Sequence, residues 1–184
     1  MKMFVNATVG LFVLVLALHA VAAFQYQNDY DKPLHVECPD KQALYYVQSI
    51  HSNRHEDRRF RFNCKHAANK KMSHCFWTGH LNNYDGVLNY QCPPNNLMTG
   101  VKSEHSNHHE DRRWSFKCCK ANGYHTKSCL MTGYINSYDN PMHHAAHYNH
   151  FFAGAYSVHS NHHEDRIWKM YECKYSKIYT ESLT

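Results

Sequence analysis

His51-Ser52-Asn53-Arg54-His55-Glu56-Asp57-Arg58 returns as His105-Ser106-Asn107-His108-His109-Glu110-Asp111-Arg112 and again as His159-Ser160-Asn161-His162-His163-Glu164-Asp165-Arg166, 54 residues apart each time. The spacing holds outside the motif. Tyr30-Asp31, Tyr84-Asp85 and Tyr138-Asp139 keep it, as do Cys38 and Cys92, Cys64 and Cys118, Cys75 and Cys129, and Thr78-Gly79 and Thr132-Gly133. The chain therefore reads as three repeats, about 29–82, 83–136 and 137–184. Such units bury their apolar faces against one another.

A strand pattern follows each motif. Arg59-Phe60-Arg61-Phe62-Asn63-Cys64, Arg113-Trp114-Ser115-Phe116-Lys117-Cys118 and Ile167-Trp168-Lys169-Met170-Tyr171 alternate with period two and carry aromatics, the signature of a half-buried strand. Phe60, Phe62, Trp114, Phe116, Trp168 and Met170 are expected to point inward. Segments 43–49, 97–103 and 152–158 read as strands ahead of the motif, with the Ser-Asn-rich stretch between as an exposed turn. No segment holds a long run at helical spacing. The expected fold is all-β, a single disulfide-stapled domain. Its three repeats admit a pseudo-threefold arrangement such as a β-trefoil or β-prism, or a more open stack of sheets.

Composition narrows the class. The 184 residues, 43% hydrophobic and 19% charged, suit one folded domain. A net charge of +5 is too small for a nucleic-acid footprint. The N-terminus has the form of a secretory signal: Met1-Lys2-Met3, an apolar run from Val9 to Ala17, and small residues at 20–23. The expected signal peptide is 1–23, with the mature domain 24–184; loss of Lys2 takes the charge from +5 to +4. The apolar run is shorter than the ~20 residues of a membrane span. Eight cysteines in an oxidising compartment imply four disulfides.

Register restricts the 105 possible pairings of eight cysteines. Alternation puts Cys64 and Cys118 on the aromatic face, and Cys119 and Cys173 on the opposite one. The simplest scheme has intra-repeat bridges Cys38–Cys64 and Cys92–Cys118 and inter-repeat bridges Cys75–Cys119 and Cys129–Cys173. Ala146 stands where a third early cysteine would fall. A partner exchange at the adjacent Cys118 and Cys119 stays open.

The motif itself invites two readings. Histidines beside paired carboxylates can bind metal or move protons. Threefold copying argues against catalysis, so no catalytic residue and no cofactor are assigned. The His four apart lie in a turn rather than a helix, so no metal ligands are assigned either. A structural role is expected. Asp57, Asp111 and Asp165 pair with Arg58, Arg112 and Arg166; carboxylates, with Glu56, Glu110 and Glu164 among the candidates, satisfy turn amides; and Phe60, Trp114 and Trp168 fill the core. Exposed loops carry function, which makes His51, Asn53, His55, His105, Asn107, His109, His159, Asn161 and His163 the candidate ligand residues.

The repeated Glu-Asp-Arg-X-Trp-X-Phe-X-Cys pattern resembles the dermatopontin family. So do Tyr30-Asp31-Lys32-Pro33 leading to Cys38-Pro39, the Cys118-Cys119 pair and Cys75-Phe76-Trp77. The resemblance implies a secreted, tyrosine-rich adhesive protein with disulfide-closed loops. Its vertebrate members are associated with collagen, small proteoglycans and integrin-mediated adhesion, and its invertebrate relatives include haemagglutinins, aggregation factors and skeletal-matrix proteins. The family's tyrosine sulfation would fall at Tyr30. The chain departs from vertebrate members in being basic and His-rich and in lacking Arg-Gly-Asp.

Three functions follow as expectations. The first is adhesion to extracellular matrix, through collagen, anionic proteoglycan or a cell surface, with Arg54, Lys65, Lys70 and Lys71 as sulfate contacts. The second is a lectin-like haemagglutinin or aggregation factor of invertebrate defence, gaining avidity from three equivalent loops. The third is a metal-binding protein of a mineralised matrix, using the His clusters. Neither nucleic acid nor a membrane span is expected, and an oligomer is compatible with the pattern. The mature chain keeps 17 of the 18 histidines once His19 is removed, and these protonate as pH falls toward 5. Binding to heparin is therefore expected to strengthen between pH 7.5 and 5.5; an affinity that stays flat would remove the His loops from the contact surface.

Overall fold

The computed structural model describes residues 25–178, so the expected signal peptide lies outside the described residues. All described regular structure is strand. In chain order the strands are β1 (Leu34–Glu37), β2 (Gln42–Ser52), β3 (Asp57–His66), β4 (Met72–Trp77), β5 (Leu88–Gln91) and β6 (Leu97–Ser106). They continue as β7 (Asp111–Ala121), β8 (Tyr124–Met131), β9 (Met142–Ala145), β10 (His150–Ser160) and β11 (Asp165–Lys177). The long strands coincide with the expected ones and extend past them. The four-residue β1, β5 and β9 and the late β4 and β8 have no counterpart in the sequence reading.

Each repeat contributes one long antiparallel hairpin, β2–β3, β6–β7 and β10–β11, turned at the His-Glu-Asp-Arg motif. The hairpins do not stand alone. The second is flanked by β1 and β4 of the first repeat, giving the order β1-β6-β7-β4, and the third by β5 and β8 of the second, giving β5-β10-β11-β8. The first hairpin receives β9 of the third repeat in the order β3-β2-β9. Strand exchange thus runs from repeat one to two, two to three, and three back to one. Each hairpin has a bulge, where the flanking strand approaches closely. At Gly154 a Cβ would lie 2.2 Å from the Tyr90 carbonyl oxygen, so only glycine admits β5 there.

The alternation of the sequence resolves into two cores. Phe60, Phe62, Trp114, Phe116, Trp168 and Met170 share the larger one with Leu34, Leu88 and Met142 from the short strands. Phe60, Trp114 and Trp168, one from each repeat, meet edge to face, with centroids 5.0 Å (Phe60–Trp114), 4.8 Å (Trp114–Trp168) and 6.3 Å (Phe60–Trp168) apart. Such contacts add about 0.5–1.5 kcal/mol per pair to the burial itself. Cys119 and Cys173 lie in the smaller core with Ala43, Leu97 and Phe151.

The disulfides follow the two cores. Cys38–Cys64 and Cys92–Cys118 close each early strand onto its own hairpin, with Cα atoms 5.7 Å apart in both. Cys75–Cys119 and Cys129–Cys173 fasten β4 to β7 and β8 to β11, with Cα separations of 4.2 and 4.1 Å. Partners are not exchanged at the adjacent pair.

Asn28, Asn82 and Asn136, again 54 apart, brace the hairpins where strand pairing ends. Each Oδ1 accepts the amide of Phe60, Trp114 or Trp168, and each Nδ2 donates to the carbonyl of Arg58, Arg112 or Arg166. One side chain thus satisfies two backbone groups of the motif.

The repeats meet through buried ion pairs. Arg112 grips Asp57 of the repeat before it through Nε and Nη2, both at 2.6 Å. Removing one partner of such a pair strands a buried charge, which costs about 3–5 kcal/mol. Arg112→Met is expected to lower the unfolding free energy by about that amount in urea titration. A loss below ~1 kcal/mol would mean that the pair contributes little.

Candidate functional site

The hairpin turns converge on a ring of charges. Arg58 donates from Nε and Nη2 to both oxygens of Asp165 at 2.6 Å, and Arg166 does the same to Asp111 at 2.6 and 2.7 Å. With Arg112 on Asp57, every pair joins two repeats. The sequence reading expected the pairing, and the structure shows that each arginine takes its aspartate from another repeat. Each Nη2 also donates to a backbone carbonyl, of Asn140, Lys32 or Gly86. The aspartates accept the turn amides as well: Asp57, Asp111 and Asp165 Oδ2 take the N–H of Asp31, Asp85 and Asp139, each at 2.8 Å. The ring borders an open-mouthed cavity of about 20 Å³, also lined by Phe60, Trp114 and Trp168, with room for about one water.

Glu56, Glu110 and Glu164 occupy the left-handed region, with φ of 43°, 44° and 43°, where residues other than glycine are strained. The chain reverses there after a turn closed by His55 N to Ser52 O, and by its two counterparts. Burial pushes the Glu110 and Glu164 carboxyls up; His105 and His159 respectively oppose this, while nearby Glu56 adds to it. A raised carboxyl weighs against the fold above its unfolded value and is relieved on acidification.

The candidate ligand histidines fall into two classes. His55, His109 and His163 are 40%, 40% and 38% exposed. They stack flat on Tyr30, Tyr84 and Tyr138, with centroids 4.8, 4.8 and 4.7 Å apart. The Arg59 guanidinium lies 4.9 Å over Tyr30 and that of Arg113 4.7 Å over Tyr84, whereas the third repeat has Ile167 at that position. Asn53, Asn107 and Asn161 are exposed on the same turns. His51, His105 and His159 correct the expectation of exposed loops. They are strand residues with side chains 1% exposed, drawn under the turn by the carboxylates there. His105 lies 3.7 Å from both Asp31 Oδ1 and Glu110 Oε2 and 3.9 Å from Asp57 Oδ1.

Cations are also redistributed. The Lys65 ammonium lies over Tyr45 and Phe151 at 4.9 and 4.7 Å, and burial lowers its pKa, so Lys65 corrects the expectation of an open sulfate contact. Arg54, Lys70 and Lys71 are exposed. A cleft of about 500 Å³ instead gathers His66, Lys127 and Lys174. Lys127 and Lys174 are directly opposite each other on β8 and β11, a like-charge juxtaposition that destabilises a sheet.

The third repeat has a feature the sequence reading did not reach. Glu172 stands 54 residues after Cys118, as Ala146 stands 54 after Cys92, so both positions of an intra-repeat bridge are replaced there. Glu172 is fully buried and accepts from the His147 amide at 3.0 Å. Its two oxygens also meet His144 Nε2 at 2.5 Å and His147 Nδ1 at 2.7 Å. Burial raises its pKa, and these contacts more than offset that, so the carboxyl ends below its ordinary value. A polar cluster occupies the place of the covalent bridge. Aligning all three repeats column by column would have exposed the substitution.

A family model for dermatopontin matches residues 28–177. The chain is 38% identical to a hemagglutinin/amebocyte aggregation factor of Limulus polyphemus, over 80% of this chain and 86% of that protein. It is 32% identical to a dermatopontin of Biomphalaria glabrata, over 81% and 99% of the two chains, and 30% identical to human dermatopontin, over 75% and 71%. No solved structure matches. Among the described residues, no helix is long and apolar enough to cross a membrane.

The ring makes a pH prediction. Burial pushes Asp165 up, but the contacts of His51 and Arg58 override it and bring its carboxyl from 3.8 to about 2. A lowered pKa stabilises above the unfolded value and is lost as pH falls through the folded one. Asp165 alone therefore supplies about 2 kcal/mol that disappears between about pH 4 and 2. Urea unfolding followed by circular dichroism across that range is expected to show at least this decline; constant stability would contradict the assignment.

Proposed function

The chain belongs to the dermatopontin family, and we propose from that premise that it is a secreted adhesion protein that holds glycan-bearing surfaces together through repeated weak contacts. The observation that carries this reading is the set of three half-exposed Tyr–His stacks, Tyr30–His55, Tyr84–His109 and Tyr138–His163, on the hairpin turns. A flat aromatic pair suits the apolar face of a sugar ring, and Asn53, Asn107 and Asn161 on the same turns suit its hydroxyls. Sites of this kind are individually weak, and three on one rigid ring gain by avidity. The resemblance to a hemagglutinin and aggregation factor supports the same reading. No catalytic role is proposed.

A second reading rests on the basic cleft. His66, Lys127 and Lys174 line it without an acidic neighbour among the lining residues, and their mutual repulsion would be relieved by sulfate or carboxylate groups. Adhesion to anionic proteoglycan, or to collagen that carries it, follows from this surface. The cleft at His35, Lys102 and Arg113 is less suited, because Glu104 pairs with Arg113 and lies 3.1 Å from His80.

Haemagglutination against a panel of free sugars separates the two. Inhibition by a simple neutral sugar, with Tyr30→Ala/Tyr84→Ala/Tyr138→Ala lowering the titre by ~100-fold or more through lost avidity, is the outcome expected of the stacks. Absence of agglutination, together with heparin binding that fades with salt and with Lys127→Glu/Lys174→Glu, would transfer the function to the cleft.

A further inference from the structure

Beneath the exposed stacks, at two of the three junctions between repeats, lies a buried histidine nitrogen with no hydrogen-bond partner among the described residues. His105 and His159 are 1% exposed, and the Nε2 atom of each makes no hydrogen bond. Their Nδ1 atoms are engaged by Asn107 and Asn161 Oδ1, both at 3.2 Å. An amide oxygen only accepts, so Nδ1 is the donor in this contact and Nε2 is the ring atom left for a ligand. That atom faces carboxylates. Glu110 Oε2 and Asp57 Oδ1 stand 3.7 and 3.9 Å from His105 Nε2, and Glu164 Oε2 and Asp111 Oδ1 stand 3.6 and 4.0 Å from His159 Nε2.

These separations are too long for hydrogen bonds. They suit two donors on one small ion: with metal–ligand distances near 2.0–2.1 Å, neighbouring ligand atoms stand ~3–4 Å apart. Asp31 and Asp85 stand on the other side of each ring, their Oδ1 atoms 3.7 and 3.6 Å from His105 and His159 Nδ1. Within each group of Asp31, Asp57 and His105, or Asp85, Asp111 and His159, one ligand atom per residue lies within 4.8 Å of the others. Charge points the same way. At the first junction the carboxylates of Asp31, Asp57 and Glu110 outnumber the one guanidinium, Arg112, which pairs with Asp57, while the half-exposed His55 lies 3.2 Å from Asp31. A dication is the matching counter-ion. The Asn107 and Asn161 contacts are the outer-shell anchors that metal-bound imidazoles require.

We infer that these two junctions are divalent-metal sites of the zinc class, each built from one histidine and the carboxylates of two successive repeats. Imidazole nitrogen with carboxylate oxygen selects zinc-like ions over calcium, which prefers an all-oxygen shell. The junction of the third repeat with the first is not a copy. Neither His51 nitrogen makes a hydrogen bond there, and the ring is turned over, with Nδ1 3.4 Å from Asp165 Oδ1 and Nε2 3.7 Å from Asp139 Oδ1, so no asparagine contact anchors it. Two ions per chain therefore follow, and they would fasten repeat one to two and repeat two to three.

The test uses the full mature protein, stripped with EDTA and titrated with Zn2+ in a calorimeter, with no glycan present. Two ions are expected to bind at neutral pH and to raise the melting temperature, and Co2+ substitution is expected to give visible ligand-field bands. His105→Gln/His159→Gln should abolish both sites, whereas the exposed His108→Gln/His162→Gln should leave them. Should the buried histidine variants fail to fold, Asn107→Ala/Asn161→Ala, which changes only exposed side chains, is expected to weaken Zn2+ binding about 10–100-fold. No Zn2+ uptake, or uptake unchanged in both the histidine and the asparagine variants, would overturn the inference. Either failure leaves the adhesion reading intact, since agglutination is measured separately.

Discussion

A buried guanidinium tolerates very few surroundings, and this molecule meets the requirement by borrowing. Arg58, Arg112 and Arg166 are each neutralised by an aspartate that belongs to another repeat. Desolvating these groups is costly, and the gain over an apolar contact is small. Their worth lies in geometry. A bidentate pair fixes distance and orientation together, and the turn amides and carbonyls gathered around each pair fix the hairpins as well. The aromatic triangle of Phe60, Trp114 and Trp168 then has a defined floor to fill, and the flanking strands have a defined edge to join.

The repeat, the long hairpins and the inward aromatics were legible in the sequence because each leaves a periodic trace. Period two marks β3, β7 and β11, and the 54-residue spacing marks their equivalence. The short strands were not legible. Four residues such as Leu34–Glu37 carry too little alternation, and what makes them strands is the edge of another repeat's hairpin. The same reason hid the partners of the arginines. Within one repeat Asp57 and Arg58 are adjacent and read as a local pair, while in the fold they point to different neighbours. His51, His105 and His159 read as loop residues because polar sequence usually means solvent; here it means a buried polar junction.

Repeat symmetry is broken at a few chosen places, and each break has a chemical content. Glu172 with His144 and His147 takes the position of a disulfide, so one repeat is held by hydrogen bonds and charge where its siblings are held covalently. Ile167 replaces the arginine that covers the tyrosine stack in the other repeats. Arg54 replaces the histidine found at 108 and 162. Three copies of one scaffold thus present three different surfaces.

Ring closure also sets an order on synthesis. Arg58 emerges early, but its carboxylate partner Asp165 lies 107 residues later, and β2 pairs with β9 from the last repeat. The first hairpin is therefore incomplete on the ribosome until nearly the whole chain has been made. During that interval its arginine and its open strand edge lack the partners that the rest of the chain will supply. A chain ending after two repeats would be no smaller version of this protein but a form permanently caught in that waiting state.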